Sequence, residues 1–399
     1  FDSELRGANG LEISESDASG DVVSGAVVRP PQSGEDLALS LDTGLQKTLY
    51  EAIQRRAVIS GWQGGAGALM DVTSGELLAL VSYPSFDPAV MSEGRPEETI
   101  DSYLSDERSP FLDRPVSGLY TPGSVVKPFI ATAALEENVI TPEKKILSTG
   151  SISIPNPYDP SLPSVFRDWR AHGWVNMYDA IAVSSDVYFY EVGGGYEDQQ
   201  GLGIAKIEAY LRKFGFGDVT GISVAGEETG IIPNPEWKAE HFDGERWLLG
   251  NTYHTAIGQY GFQATLLQLV RGVAAIANGG TLVTPHVFFG SAFPGKPVGV
   301  SRDNLKVVRE GMRQAVLRGT AQAVNIPGME VAAKTGTAEI GVRKESTNSL
   351  LIGFFPYENP RYAFAIVMER AKAGTLEGAP AAMREVLEWL VVNRSEMID

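Results

Sequence analysis

Strand-like patterning sits at the two ends of this chain and helix-like patterning fills its middle, and that separation leaves few folds open. Near the start, residues 65–72 and 76–83 are apolar runs on either side of Thr73-Ser74-Gly75, the mark of a hairpin. Near the end, 331–340, 350–356 and 362–369 read as strands, the last two joined across Tyr357-Glu358-Asn359-Pro360, and 381–392 reads as an amphipathic helix. Between them, 124–138, 175–192, 202–214 and 264–277 have helical spacing. The expected fold is therefore α/β: the two ends co-operate in one mainly antiparallel sheet flanked by helices, and roughly 124–280 forms an inserted all-helical lobe.

Smaller elements fill the gaps. Residues 37–41 alternate like a strand, and a helix over 44–56 is capped by Asp42 or Thr43. The acidic stretch 93–107 reads as a long irregular connection. Residues 1–36, rich in Gly, Ser, Asp and Glu, read as an extended linker without its own core.

Composition removes several function classes. Lys plus Arg number 33 against 50 for Asp plus Glu, and a net charge of -17 repels phosphate backbones, so no nucleic-acid partner is expected. With no cysteine there is no thiol nucleophile, disulfide or Cys-ligated metal. The four histidines are His172, His241, His254 and His286; Asp168 and His172 are four apart, close enough to share a metal on a helix, but Gly173 suggests a loop. No metal and no cofactor are expected. No run of eighteen apolar residues occurs, and the start at Phe1 suggests a fragment or processed form whose anchor lies outside it.

Three short motifs carry the chemistry. Ser124-Val125-Val126-Lys127 follows Thr121-Pro122-Gly123 and precedes Pro128. If Ser124 opens a helix, Lys127 lies one turn on, along the same face, where a neutral amine can take the hydroxyl proton. Pro128 fits a first turn, whose amides lack intrahelical acceptors. Ser184-Ser185-Asp186 interrupts an apolar stretch; Ser184 is a candidate proton relay to Lys127, with Asp186 a hydrogen-bonding partner. Lys334-Thr335-Gly336-Thr337 lies on a strand, where Lys334 offers charge to a carboxylate, Thr335 and Thr337 offer donors, and Gly336 permits close approach. The Thr337 and Ser124 amides could together form an oxyanion hole. Each motif alone has an ordinary reading, as a helix cap or an edge lysine. Their shared order does not.

That order resembles the penicillin-binding proteins, for which Ser-x-x-Lys, Ser-Asp-Asn and Lys-Thr-Gly are the established set. The likeness extends to Glu4-Leu5-Arg6-Gly7, to Phe214-Gly215-Phe216-Gly217, and to Ile257-Gly258-Gln259 with Thr265, Gln268 and Leu269. Asp186 at the third position of the second motif favours the elongation type of class B. Departures occur at Tyr260, Leu266 and Leu350-Leu351, outside the catalytic set.

The resemblance implies a serine D,D-peptidase and β-lactamase-like fold, with 1–36 a remnant of an N-terminal pedestal and 37–399 the transpeptidase domain. It implies Ser124 as nucleophile, Lys127 as base, Ser184 and Asp186 as relay and partner, and Lys334 to Thr337 as the substrate-holding strand. The substrate would be a peptidoglycan stem peptide ending in D-Ala-D-Ala, and β-lactam antibiotics would acylate the same serine. A lipid-linked glycan polymerase and elongation-complex proteins would be partners, at the outer face of the bacterial cytoplasmic membrane. A D,D-carboxypeptidase or a penicillin-sensing module shares the acylation half. A class A β-lactamase is disfavoured, because no Glu-x-x-Leu-Asn stretch lies between the second and third motifs.

Overall fold

In a computed structural model of the chain, which describes all residues except 160, 292, 342 and 399, five antiparallel strands form the central sheet. Their order is Ala332–Ile340, Ser346–Phe355, Tyr362–Lys372, Gly64–Asp71, Leu77–Tyr83. The two ends of the chain meet in mid-sheet, where Tyr362 pairs with Asp71 and Glu369 with Gly64. The expected sharing of one sheet is what the structure has.

Each face is covered for a reason visible in the side chains. On one side lie the helices Thr43–Ser60 and Ala379–Asn393, with Leu45, Leu49, Ile53, Val386, Leu387 and Leu390 packed on Leu69, Val81, Phe364 and Ile366. Asp42 caps the first helix by accepting the Leu45 amide at 2.9 Å. The other face holds Leu266–Ala277, every residue of which is buried. Its start is a reciprocal capping box: Thr265 Oγ1 accepts the Gln268 amide at 3.2 Å while Gln268 Oε1 accepts the Thr265 amide at 3.1 Å. Beyond it packs Lys127–Glu136, buried in all but its last residue.

The structure amends several expectations. Residues 37–41 form no strand; Leu39 makes a single bridge to Phe288. The stretch 93–107 is not irregular: helices Pro88–Glu93 and Glu97–Ser105 flank a short break, the first capped by Asp87. Residues 11–29 form a hairpin, Leu11–Ser16 with Val22–Arg29, closed by an Asp17 turn and exposed along both strands. Turn chemistry and backbone pairing hold it, not burial, so a search for apolar faces passes over it. The lobe is not all-helical, since Ile146–Ser148 pairs with Gly173–Val175 and Ser151–Pro155 with Pro163–Arg167. The long helix Arg302–Arg318 was not anticipated, although Leu305, Val308, Met312, Ala315 and Val316 recur at helical spacing behind a Ser301 cap. Finally, 175–192 is two helices, Met177–Val183 and Asp186–Gly194. That break is where the second motif lies.

Candidate active site

Ser124 lies in a 3-10 turn, Gly123–Val126, that leads directly into Lys127–Glu136. Its loop is pinned from behind. The Gly123 amide donates to the Gly258 carbonyl at 3.0 Å, and Tyr120 and Ala264 exchange backbone hydrogen bonds. The Tyr120 hydroxyl donates to Glu369 Oε1 at 2.6 Å, and Arg114 Nε donates to Glu369 Oε2 at 2.9 Å. All three of these side chains are buried. Breaking such a pair strands a charge, so the network holds the turn firmly.

Lys127 has no exposed surface, and its ammonium is directed at the second motif. Nζ donates to Asp186 Oδ1 at 2.6 Å, to the Ser184 carbonyl at 2.8 Å and to Ser184 Oγ at 3.2 Å. The helix break makes this possible. Ser184 ends one helix with φ at 60°, a left-handed conformation rare for a residue with a side chain. Ser185 caps the next helix, and its hydroxyl donates to Asp168 Oδ2 at 2.8 Å. The same carboxylate oxygen accepts the Val187 amide at 3.0 Å, and Oδ1 lies 3.3 Å from His172 Nε2. Asp168 is therefore the clamp of the second motif, a part the sequence reading did not give it. Burial lowers the His172 pKa, against the pull of Asp168.

The third motif is on the sheet's edge strand, antiparallel to Ser346–Phe355. Lys334 is fully buried; its Nζ donates to Ser184 Oγ at 2.8 Å and to the Thr335 carbonyl at 2.9 Å. Burial and then the like charge of Lys127 hold its pKa well below the lysine range, while Asp186 opposes them. A Cβ on Gly336 would stand 2.7 Å from the Pro122 carbonyl, and one on Gly123 2.6 Å from the Thr337 carbonyl. Only glycines let the strand lie against the Ser124 turn so closely. Thr337 is exposed beside that turn, and Thr335 Oγ1 lies 2.7 Å from Thr320 Oγ1.

The structure thus gathers Lys127, Ser184, Asp186 and Lys334 into one hydrogen-bonded cluster, with Ser124 one turn ahead of Lys127 and Gly336 and Thr337 against Gly123. Chemically, a hydroxyl flanked by two amines can pass a proton in either direction.

The model of the penicillin binding protein transpeptidase domain matches residues 65–388, most of the chain. This chain belongs to the penicillin-binding protein transpeptidase family. Its relatives place it among the elongation-type class B members. It is 32% identical to the peptidoglycan D,D-transpeptidase MrdA of Acinetobacter baumannii, over 100% of this chain and 60% of that protein. Penicillin-binding protein 2 of Helicobacter pylori, solved in complex with MreC, superposes with a TM-score of 0.82 at 31% identity, over 97% of this chain and 69% of that one. Pseudomonas aeruginosa penicillin-binding protein 2 in complex with WCK 5153 gives 0.80 at 30% identity, over 94% and 80%. The transpeptidase chain spans about three-fifths of the curated relative's length.

Proposed function

We propose that this domain is a peptidoglycan D,D-transpeptidase of the elongation type, with Ser124 as its acylated nucleophile. The observation that carries the reading is one hydroxyl, Ser184 Oγ, accepting from two buried lysines, at 3.2 Å from Lys127 and 2.8 Å from Lys334. Structural lysines keep their heads in water; two buried on one serine suit proton transfer.

In the first step Ser124 Oγ attacks the carbonyl of the penultimate D-alanine. Its proton passes to the Lys127 amine in its neutral form, with Ser184 as relay. The Ser124 and Thr337 amides hold the oxyanion. Collapse breaks the peptide bond, and terminal D-alanine leaves as the amine, taking the proton back through Ser184. In the second step the amine of a neighbouring stem attacks the acyl ester. It forms the new amide and returns a proton to Ser124. The Thr335 and Thr337 hydroxyls receive the substrate carboxylate. A β-lactam ring opened by Ser124 has no departing amine and remains attached.

Residues 1–36 are read as the junction to a pedestal, 37–399 as the transpeptidase domain. The partners are a lipid-linked glycan polymerase and elongation-complex proteins, in keeping with the MreC complex of the Helicobacter relative. The site of action is the outer face of the cytoplasmic membrane. No described helix is long and apolar enough to cross a membrane.

Intact-protein mass spectrometry after treatment with a fluorescent penicillin tests the nucleophile. One adduct on Ser124, absent in Ser124→Ala, is expected; labelling elsewhere, or none, defeats the assignment. Cross-linking of stem peptides then separates a transpeptidase from a carboxypeptidase, which only releases D-alanine, and from a sensor, which does neither.

A further inference from the structure

Resting on that reading, we propose that Thr320 is a positioning residue. It fixes the direction of the Thr335 hydroxyl and thereby sets how strongly the domain selects ligands with a free carboxylate. Thr320 lies outside the three motifs, just past the helix Arg302–Arg318. Its backbone amide donates to the Ala182 carbonyl at 3.1 Å, two residues before Ser184. A Cβ on the preceding Gly319 would come within 2.0 Å of that carbonyl, so a glycine is required for the contact. On its other side Thr320 Oγ1 lies 2.7 Å from Thr335 Oγ1. One residue therefore ties the helix of the second motif to the strand of the third.

The strand's alternation explains why this matters. Lys334, Gly336 and Ala338 are buried, whereas Thr335 is half-buried and Thr337 exposed, so the threonines share the open face. Lys334 has no surface to offer a ligand, and its amine is directed at Ser184 and the Thr335 carbonyl. Direct contact with a carboxylate falls to the hydroxyls. Each hydroxyl has one proton, and at 2.7 Å only one proton lies between the two oxygens. If Thr335 donated to Thr320, nothing would remain for the ligand. With Thr320 donating, the Thr335 proton is free to meet a carboxylate, and that donor is strengthened by the bond it accepts. A carboxylate only accepts at neutral pH, so this is the one productive orientation.

The test compares benzylpenicillin with its methyl ester, which keeps the reactive ring and loses the anion. Second-order acylation rates of Ser124 are read by intact-protein mass spectrometry for wild type, Thr320→Val and Thr320→Ser. For Thr320→Val the rate with benzylpenicillin is expected to fall at least about tenfold, the scale of one weakened bond to a charged group. The ester rate should change less than about twofold, and Thr320→Ser should recover most of the loss with the acid. Equal slowing of both ligands, no slowing, or failure of the serine variant to recover overturns the proposal. Should Thr320→Val not fold, Thr320→Ala carries the same comparison. A wild-type protein acylated by neither ligand defeats the transpeptidase reading, and this proposal with it.

Discussion

Ser184 has an unfavourable backbone conformation in the described site. A φ of 60° on a serine costs of order 1 kcal/mol, yet it turns the hydroxyl and carbonyl of one residue toward Lys127. Glycine adopts that conformation without strain but has no hydroxyl. Ser184→Gly therefore relieves the strain but leaves the buried Lys127 and Lys334 short of an acceptor, so it is expected to melt at or below wild type while its acylation rate falls about a hundredfold, the low end for lost acid–base assistance. Thermal unfolding and penicillin labelling on one preparation check both halves; a variant that labels normally removes Ser184 from the mechanism. At this scale the sequence was most legible where spacing is local. Ser124 to Lys127 is a single turn, and Ser184 to Asp186 is three consecutive residues. Thr320 and Glu369 were silent because each acts through a partner 15 or more positions away, with nothing in its own neighbourhood to mark it, and Asp168 was marked only by its spacing to His172, not as the partner of Ser185.

Elements were readable when periodicity and burial agreed. The hairpin 65–83 and the helix over 264–277 were placed to within two residues of Gly64–Asp71, Leu77–Tyr83 and Leu266–Ala277. The helix break at 184–185 is legible in the sequence only as the ordinary cap reading of the second motif, because Val183 and Val187 continue the apolar pattern across it; in the structure the left-handed Ser184, the Ser185 cap and the Asp168 clamp mark the interruption. The second half of that broken helix carries Glu191, 8% exposed, whose pKa is pushed up to about 7, first by burial and then by Glu197. Between its ordinary value of 4.5 and about 7 the native state holds a proton that the unfolded chain has lost. Stability from this group is thus complete below the lower value and disappears as pH rises through the upper one. Melting curves at pH 5 and pH 8 should show wild type losing at least about 2 °C relative to Glu191→Gln. A constant difference between the two proteins would sink the claim.

For the molecule as a whole, the last helix matters more than its position suggests. Ala379–Asn393 buries Met383, Val386, Leu387 and Leu390 against the sheet and against Thr43–Ser60. At about 1.5–3 kcal/mol for each of these four side chains, its removal forfeits on the order of 6–12 kcal/mol. That is comparable with the whole stability of an ordinary domain. The surface ion pairs beside it, Arg55 with Glu385 at 2.8 Å and Arg394 with Asp42 at 2.9 Å, contribute little by comparison. A chain ended at Gly378 should lose its near-ultraviolet circular dichroism and its penicillin labelling together; retention of both would show that the C-terminal layer is dispensable.

The strand Gly64–Asp71 must wait for Tyr362–Lys372 before its inner edge is paired. A ribosome makes residue 71 long before residue 362, so for most of synthesis the early hairpin has one unsatisfied edge, open to any passing strand. Slow completion follows from that topology, since ring closure over nearly three hundred residues precedes the first rung. Whatever shields the nascent chain in the interval has its target at that unpaired edge, three strands across the sheet from the edge strand that lies against the Ser124 turn.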